Sequence, residues 1–116
     1  MLVVWPACSH GDRDPALAQR LDSPAARQRG RAVYLEHCAL CHGKRANGQG
    51  ERREDLVGKP ADFASSAWRS SVTPGEVFEV ITHGRPGTSM PSWAALDADQ
   101  RRDVAAYVLS VSRLGP

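Results

Sequence analysis

Two thiols and an imidazole stand together in Cys38-Ala39-Leu40-Cys41-His42. This C-x-x-C-H spacing is that of covalent c-type haem attachment: each thiol can add across one haem vinyl group, and the next residue delivers an imidazole to the iron. Other chemistries use part of the pattern. A thioredoxin-type redox pair should follow a strand in a βαβ setting, whereas this motif ends an amphipathic helical stretch. A structural zinc site needs about four nitrogen or sulfur ligands. Beyond Cys38, Cys41 and His42 the remaining cysteine is Cys8, in a leader-like tail. The histidine directly after the second cysteine is the residue that discriminates in favour of haem.

An imidazole ligand needs its other ring N–H held by an acceptor, which sets tautomer and basicity. The carbonyl of Pro60 is the candidate. The opposite haem face takes a sixth ligand or stays open for chemistry. With Met1 the initiator, Met90 in Gly87-Thr88-Ser89-Met90-Pro91 is the useful methionine. Its bland alternative is a core gap-filler, but a methionine in a Gly/Pro loop has no helical stripe to belong to, so it is assigned as the axial thioether. His83 is the rival ligand, and bis-His ligation would lower the potential relative to His/Met. Its position beside Gly84 at a helix end suits a polar cap or a propionate contact better. His37 is taken as structural or exposed. Trp68, Arg85, Trp93 and Lys59 are candidate donors to haem propionates.

These groups need helices to hold them. Ser23-Pro24 marks a helix start, with Ser23 as N-cap and Pro24 at the first helical position. Ala26, Gly30, Val33, Tyr34, His37, Cys38 and Cys41 then recur at spacings of three and four, on one face that leads into the haem motif. Gly30 in a helix interior costs about 0.5–1 kcal/mol relative to alanine, which points to close approach by another element. Residues 43–60 are rich in glycine, charge and turn signals and predict a loop wrapping one face of the cofactor. A short helix is expected within Ala61–Ser71. Thr73-Pro74-Gly75-Glu76 carries a capping box, opening a helix with Val77, Phe78 and Ile81 inward and an end at Gly84. After a second loop, Arg85–Ala95, the last helix opens at Asp97 with Gln100 and carries Val104, Tyr107, Val108, Val111 and Leu114 on one stripe. No strand-type alternation and no repeat occurs, so the fold class is all-α, with three main helices and long loops. Loops of this length in a small domain imply a ligand between them.

The chain has 116 residues, 41% hydrophobic and 24% charged, which fits one small domain. No apolar run approaches a membrane span. A net charge of +2, from 15 basic and 13 acidic residues spread along the chain, argues against a nucleic-acid partner. Residues 1–23 divide from the domain at 24–116. Met1 to Cys8 resembles the tail of a truncated export signal, with Cys8 either a lipoprotein attachment site or a free thiol, and Ser9–Asp22 is polar enough to be a tether.

Together, Cys38-Ala-Leu-Cys41-His42-Gly43, Asn47-Gly48-Gln49-Gly50, Gly58-Lys59-Pro60-Ala61-Asp62-Phe63 and the stretch from Ile81 to Trp93 resemble bacterial class I monohaem c-type cytochromes over residues 24–114. The resemblance implies the cytochrome c fold wrapped around one covalent haem c. Its terminal helices would cross near Gly30, Tyr34 and Tyr107, with His/Met ligation. It further implies a periplasmic one-electron carrier in a respiratory or oxidative chain rather than an enzyme, a monomer meeting redox proteins by transient contact. Membrane association would come only through lipidation at Cys8. The alternative is a haem peroxidase or gas sensor with an open or labile sixth position.

Overall fold

The computed structural model describes residues 10–116; Cys8 and the leader-like residues 1–9 lie outside it. Six α-helices, α1 (Pro15–Arg20), α2 (Pro24–His37), α3 (Ala39–His42), α4 (Ser66–Ser71), α5 (Pro74–His83) and α6 (Ala98–Leu114), are joined by loops and by 3-10 turns at His10–Arg13 and Arg53–Asp55. No strand occurs among the described residues. None of the described helices is long and apolar enough to cross a membrane.

Local chemistry sets the helix starts. Ser23 accepts from Ala26 N–H with Pro24 following. Thr73 and Glu76 close a capping box on α5, and Asp97 and Gln100 close another on α6. Each supplies acceptors for amide groups that the first helical turn leaves without partners.

The core is the crossing of α2 on α6. A Cβ built on Gly30 would lie 2.0 Å from the Asp103 carbonyl oxygen and 2.9 Å from Tyr107 Cβ, so hydrogen is the only substituent that allows this approach. Tyr34 and Tyr107, both fully buried, meet one turn further on with ring centroids 5.1 Å apart. The expected inward residues of α6 are buried from Val104 to Val111, but Leu114 is 54% exposed because it lies past the crossing. On α5, Val77 is buried, while Phe78 and Ile81 are partly covered against the same core.

The stretch expected to be a tether is, from His10 onward, folded onto the domain. Leu17 on α1 is 1% exposed. Asp14 caps α1 and accepts from Arg102 Nε at 2.7 Å. Asp12 accepts from Gly75 N–H at 2.6 Å and Thr73 hydroxyl at 2.9 Å, at the start of α5. A six-residue helix shows no apolar period, and one leucine with several ion pairs replaces the stripe that periodicity detects.

Candidate haem site

The attachment motif is delivered by a break between two helices. Cys38 N–H still bonds back to the Tyr34 carbonyl at 2.8 Å, but its φ of −114° turns the chain before the single turn of α3. His42 N–H bonds to the Cys38 carbonyl at 2.9 Å, closing that turn. The buried Tyr34 hydroxyl donates to the Gly43 carbonyl at 2.6 Å, fixing the end of α3 to the α2–α6 core. Cys38 and Cys41 are unpaired and half-buried, three residues apart and so on one face.

The loop after the motif returns to it closely. Gly48 N–H donates to the His42 carbonyl at 2.8 Å, and Arg52 N–H to that of Leu40 at 3.0 Å. A Cβ on Gly50 would come within 2.3 Å of the Leu40 carbonyl oxygen and 2.4 Å of Cys41, so backbone packs on backbone there.

His42 Nδ1 lies 3.2 Å from the Ala61 carbonyl oxygen. A carbonyl only accepts, so Nδ1 carries the proton and Nε2 keeps its lone pair. The acceptor is therefore Ala61 and not Pro60. The Pro60 carbonyl faces Gly48 instead, 3.0 Å from where a Cβ there would sit. Burial lowers the His42 pKa, and the Ala61 contact opposes this only in part. The ring is thus neutral at pH 7, the form in which imidazole coordinates metal. Phe63 stacks on it at 4.6 Å with planes 26° apart, and Trp68 meets Phe63 edge-on at 4.7 Å.

Burial, with a smaller contribution from Cys41, pushes the Cys38 thiol pKa up to about 12. A nucleophilic redox cysteine needs the opposite shift, so Cys38 is a poor thioredoxin-type thiolate.

Met90 is half-buried in a loop that closes on itself and is tied on two sides. Arg85 N–H donates to the Met90 carbonyl at 3.1 Å, and Met90 N–H to the Thr88 hydroxyl at 3.2 Å. Ser89 and Val57 exchange two bonds, Ser89 N–H to the Val57 carbonyl at 3.0 Å and Val57 N–H to Ser89 Oγ at 2.7 Å. Trp93 N–H donates to the Ile81 carbonyl at 2.8 Å, and its ring lies 5.1 Å from that of His37, next to Cys38. Trp93 thereby joins the methionine loop to the end of α2, while Trp68 joins α4 to His42 through Phe63. Arg85, Lys59 and His83 are exposed.

Ala61 and Phe63, which contact the His42 ring, are neighbours that no sequence motif marks. A backbone acceptor leaves no side-chain signature. Phe63 was marked only by being an aromatic three residues after Pro60 in a polar stretch.

The donor set fits a c-type haem: two unpaired thiols on one face of a short turn, and next to them a neutral imidazole whose Nδ1 is held by a carbonyl, which leaves Nε2 as the donor. The family model described as cytochrome c oxidase, cbb3-type, subunit III matches residues 25–108. The chain is 38% identical over 79 residues to cytochrome c55X of Stutzerimonas stutzeri, covering 66% of this chain and 57% of that protein. It aligns with a chain of the reducing HAO-like protein complex of Kuenenia stuttgartiensis at a TM-score of 0.70 and 29% identity, over 78% of this chain and 46% of the other. It aligns with the KustC0563 c-type cytochrome at a TM-score of 0.57 and 26% identity, over 72% of this chain and 98% of that one. The chain thus spans about half the length of the first two of these proteins.

Proposed function

This chain belongs to the c-type cytochrome family matched by the cbb3-type subunit III model, with the cytochrome c fold, and from that premise we propose that it is a one-electron carrier holding one covalent haem c. Cys38 and Cys41 would hold the haem through thioether bonds, His42 would bind its iron through Nε2, and Met90 would supply the second iron ligand. Bound haem c would supply an Fe(II)/Fe(III) couple for one-electron transfer. The protein's part is to hold the donors still. The Ala61 carbonyl fixes the His42 tautomer and makes the ring a better donor, Phe63 limits its rotation, and Tyr34 ties the motif to the core.

The observation that carries this reading is the Nδ1–carbonyl contact of His42 beside two unpaired cysteines. The periplasm is the compartment of action, since bacterial c-type haem attachment takes place outside the cytoplasm. The family description supports a respiratory setting. Donors and acceptors would be redox proteins met through small, short-lived interfaces. Leu40, between the two cysteines and 56% exposed, offers such a contact an apolar point.

The test is an optical spectrum of the denatured protein, followed by redox titration of the native one. Covalently retained haem and a reversible one-electron wave are expected. Haem extracted by acidified organic solvent would refute the attachment. A high-spin ferrous state that binds carbon monoxide rapidly would replace the carrier by a peroxidase or sensor.

A further inference from the structure

A groove of about 540 Å³ opens between the first half of α2 and the end of α6, and none of its lining residues belongs to the haem motif. Arg27, Arg31 and Arg113 line it, against a single carboxylate, Asp22. Arg27 is committed to the fold: its Nε donates to Ser110 Oγ at 2.7 Å, another of its nitrogens donates to the Gly115 carbonyl, and it lies over the Tyr107 ring. Arg31 and Arg113 are on the exposed surface, and Arg113 reaches Asp22 only loosely, at 3.8 Å, with both side chains mostly in water. The same groove carries apolar groups. Leu21 is partly buried, and Leu114 remains 54% exposed although it closes the apolar stripe of α6.

We propose that this groove seats the domain on an anionic phospholipid surface, independently of any lipid on Cys8. Guanidinium groups pair with phosphate through two donors and stay charged at every physiological pH. A neighbouring exposed leucine supplies apolar surface that can leave water at the headgroup boundary. The groove has an excess of two positive charges by its own lining residues, which matches an anionic partner and not a neutral one. The placement also suits a carrier. The groove meets α2 at Pro24, Arg27 and Arg31, whereas the attachment motif begins at Cys38, along the helix about 21 Å from Pro24 and about 10 Å from Arg31. Contact at the groove leaves the haem end free for redox partners.

The experiment is co-sedimentation of the haem-loaded protein with vesicles of equal parts phosphatidylglycerol and phosphatidylcholine, and with phosphatidylcholine alone. Binding to the anionic vesicles, weakened by salt and absent on the neutral ones, is expected. An arginine near such a surface is worth about five-fold in affinity, so Arg31→Gln with Arg113→Gln should weaken binding about 30-fold. The same loss of charge at the haem end, Lys44→Gln with Arg45→Gln, should have little effect. Leu114→Gln should remove the binding that survives high salt. Unchanged far-ultraviolet spectra and melting of the variants establish that they fold. Failure to bind anionic vesicles, equal binding to neutral ones, or equal losses in the two double variants would each overturn the proposal. So would inorganic phosphate perturbing the groove arginines while vesicles do not bind.

Discussion

Which nitrogen of His42 can reach a metal is decided by the Ala61 carbonyl. The histidine itself was legible because the C-x-x-C-H spacing constrains side-chain types. Its acceptor was not, because every residue from 58 to 61 offers a carbonyl and sequence carries no mark of the one that turns inward; the expectation fell on Pro60, one residue away. Met90 tests the other axial position. Met90→Ala should lower the haem potential by on the order of 0.2 V, within the roughly 0.8 V range set by axial ligands, and should open the iron to carbon monoxide. Redox titration with optical spectra reads both, and an unchanged potential and spectrum would remove Met90 from the site. Tyr34→Phe isolates the support from the ligand set. It leaves the buried Gly43 carbonyl without its 2.6 Å partner, which should lower stability by about 1–2 kcal/mol in denaturant titration. The visible spectrum of the folded protein should not change.

At the scale of elements, the α2–α6 crossing depends on one missing side chain. In Gly30→Ala the new Cβ would meet backbone, the Asp103 carbonyl carbon at 2.5 Å and its oxygen at 2.0 Å, and backbone cannot rotate away as a flexible side chain can. The helices must separate, so a loss of about 3 kcal/mol or more is expected in urea unfolding of the haem-loaded protein. A loss below about 1 kcal/mol, the ordinary spread for a surface change, would mean that the crossing adapts. Gly30 was readable because glycine in a helix interior is costly without a purpose. The starts of α2, α5 and α6 were readable because caps are local chemistry. Leu114 and α1 misled for the same physical reason: periodicity reports which face is apolar but not where the neighbouring element stops or begins.

The N-terminal segment shows at the scale of the whole molecule what replaces apolar periodicity. Arg20 donates to Asp103 at 2.9 Å and Asp99 at 3.0 Å, Arg29 also grips Asp103, and Arg102 joins Asp14 to Asp99. This network binds α1 and α2 to α6, while Asp12 holds the start of α5. Isolated exposed pairs contribute little, but these share partners and Asp103 is 6% exposed. The Asp14 carboxyl is held below its ordinary 3.8 chiefly by Arg102, with burial opposing. A carboxylate with a depressed folded pKa stabilises above its unfolded pKa, and that stability fades as pH falls through the folded value. Asp14→Asn keeps a competent helix cap and removes only the charge. The variant should therefore be less stable by about 1 kcal/mol at pH 7. The difference should hold down to about pH 4 and shrink as acid is added below the unfolded value near 3.8. Urea unfolding of the haem-loaded protein and the variant across that range measures it. A gap that persists in full at pH 2 would assign the effect to packing of α1 and not to its ion pair.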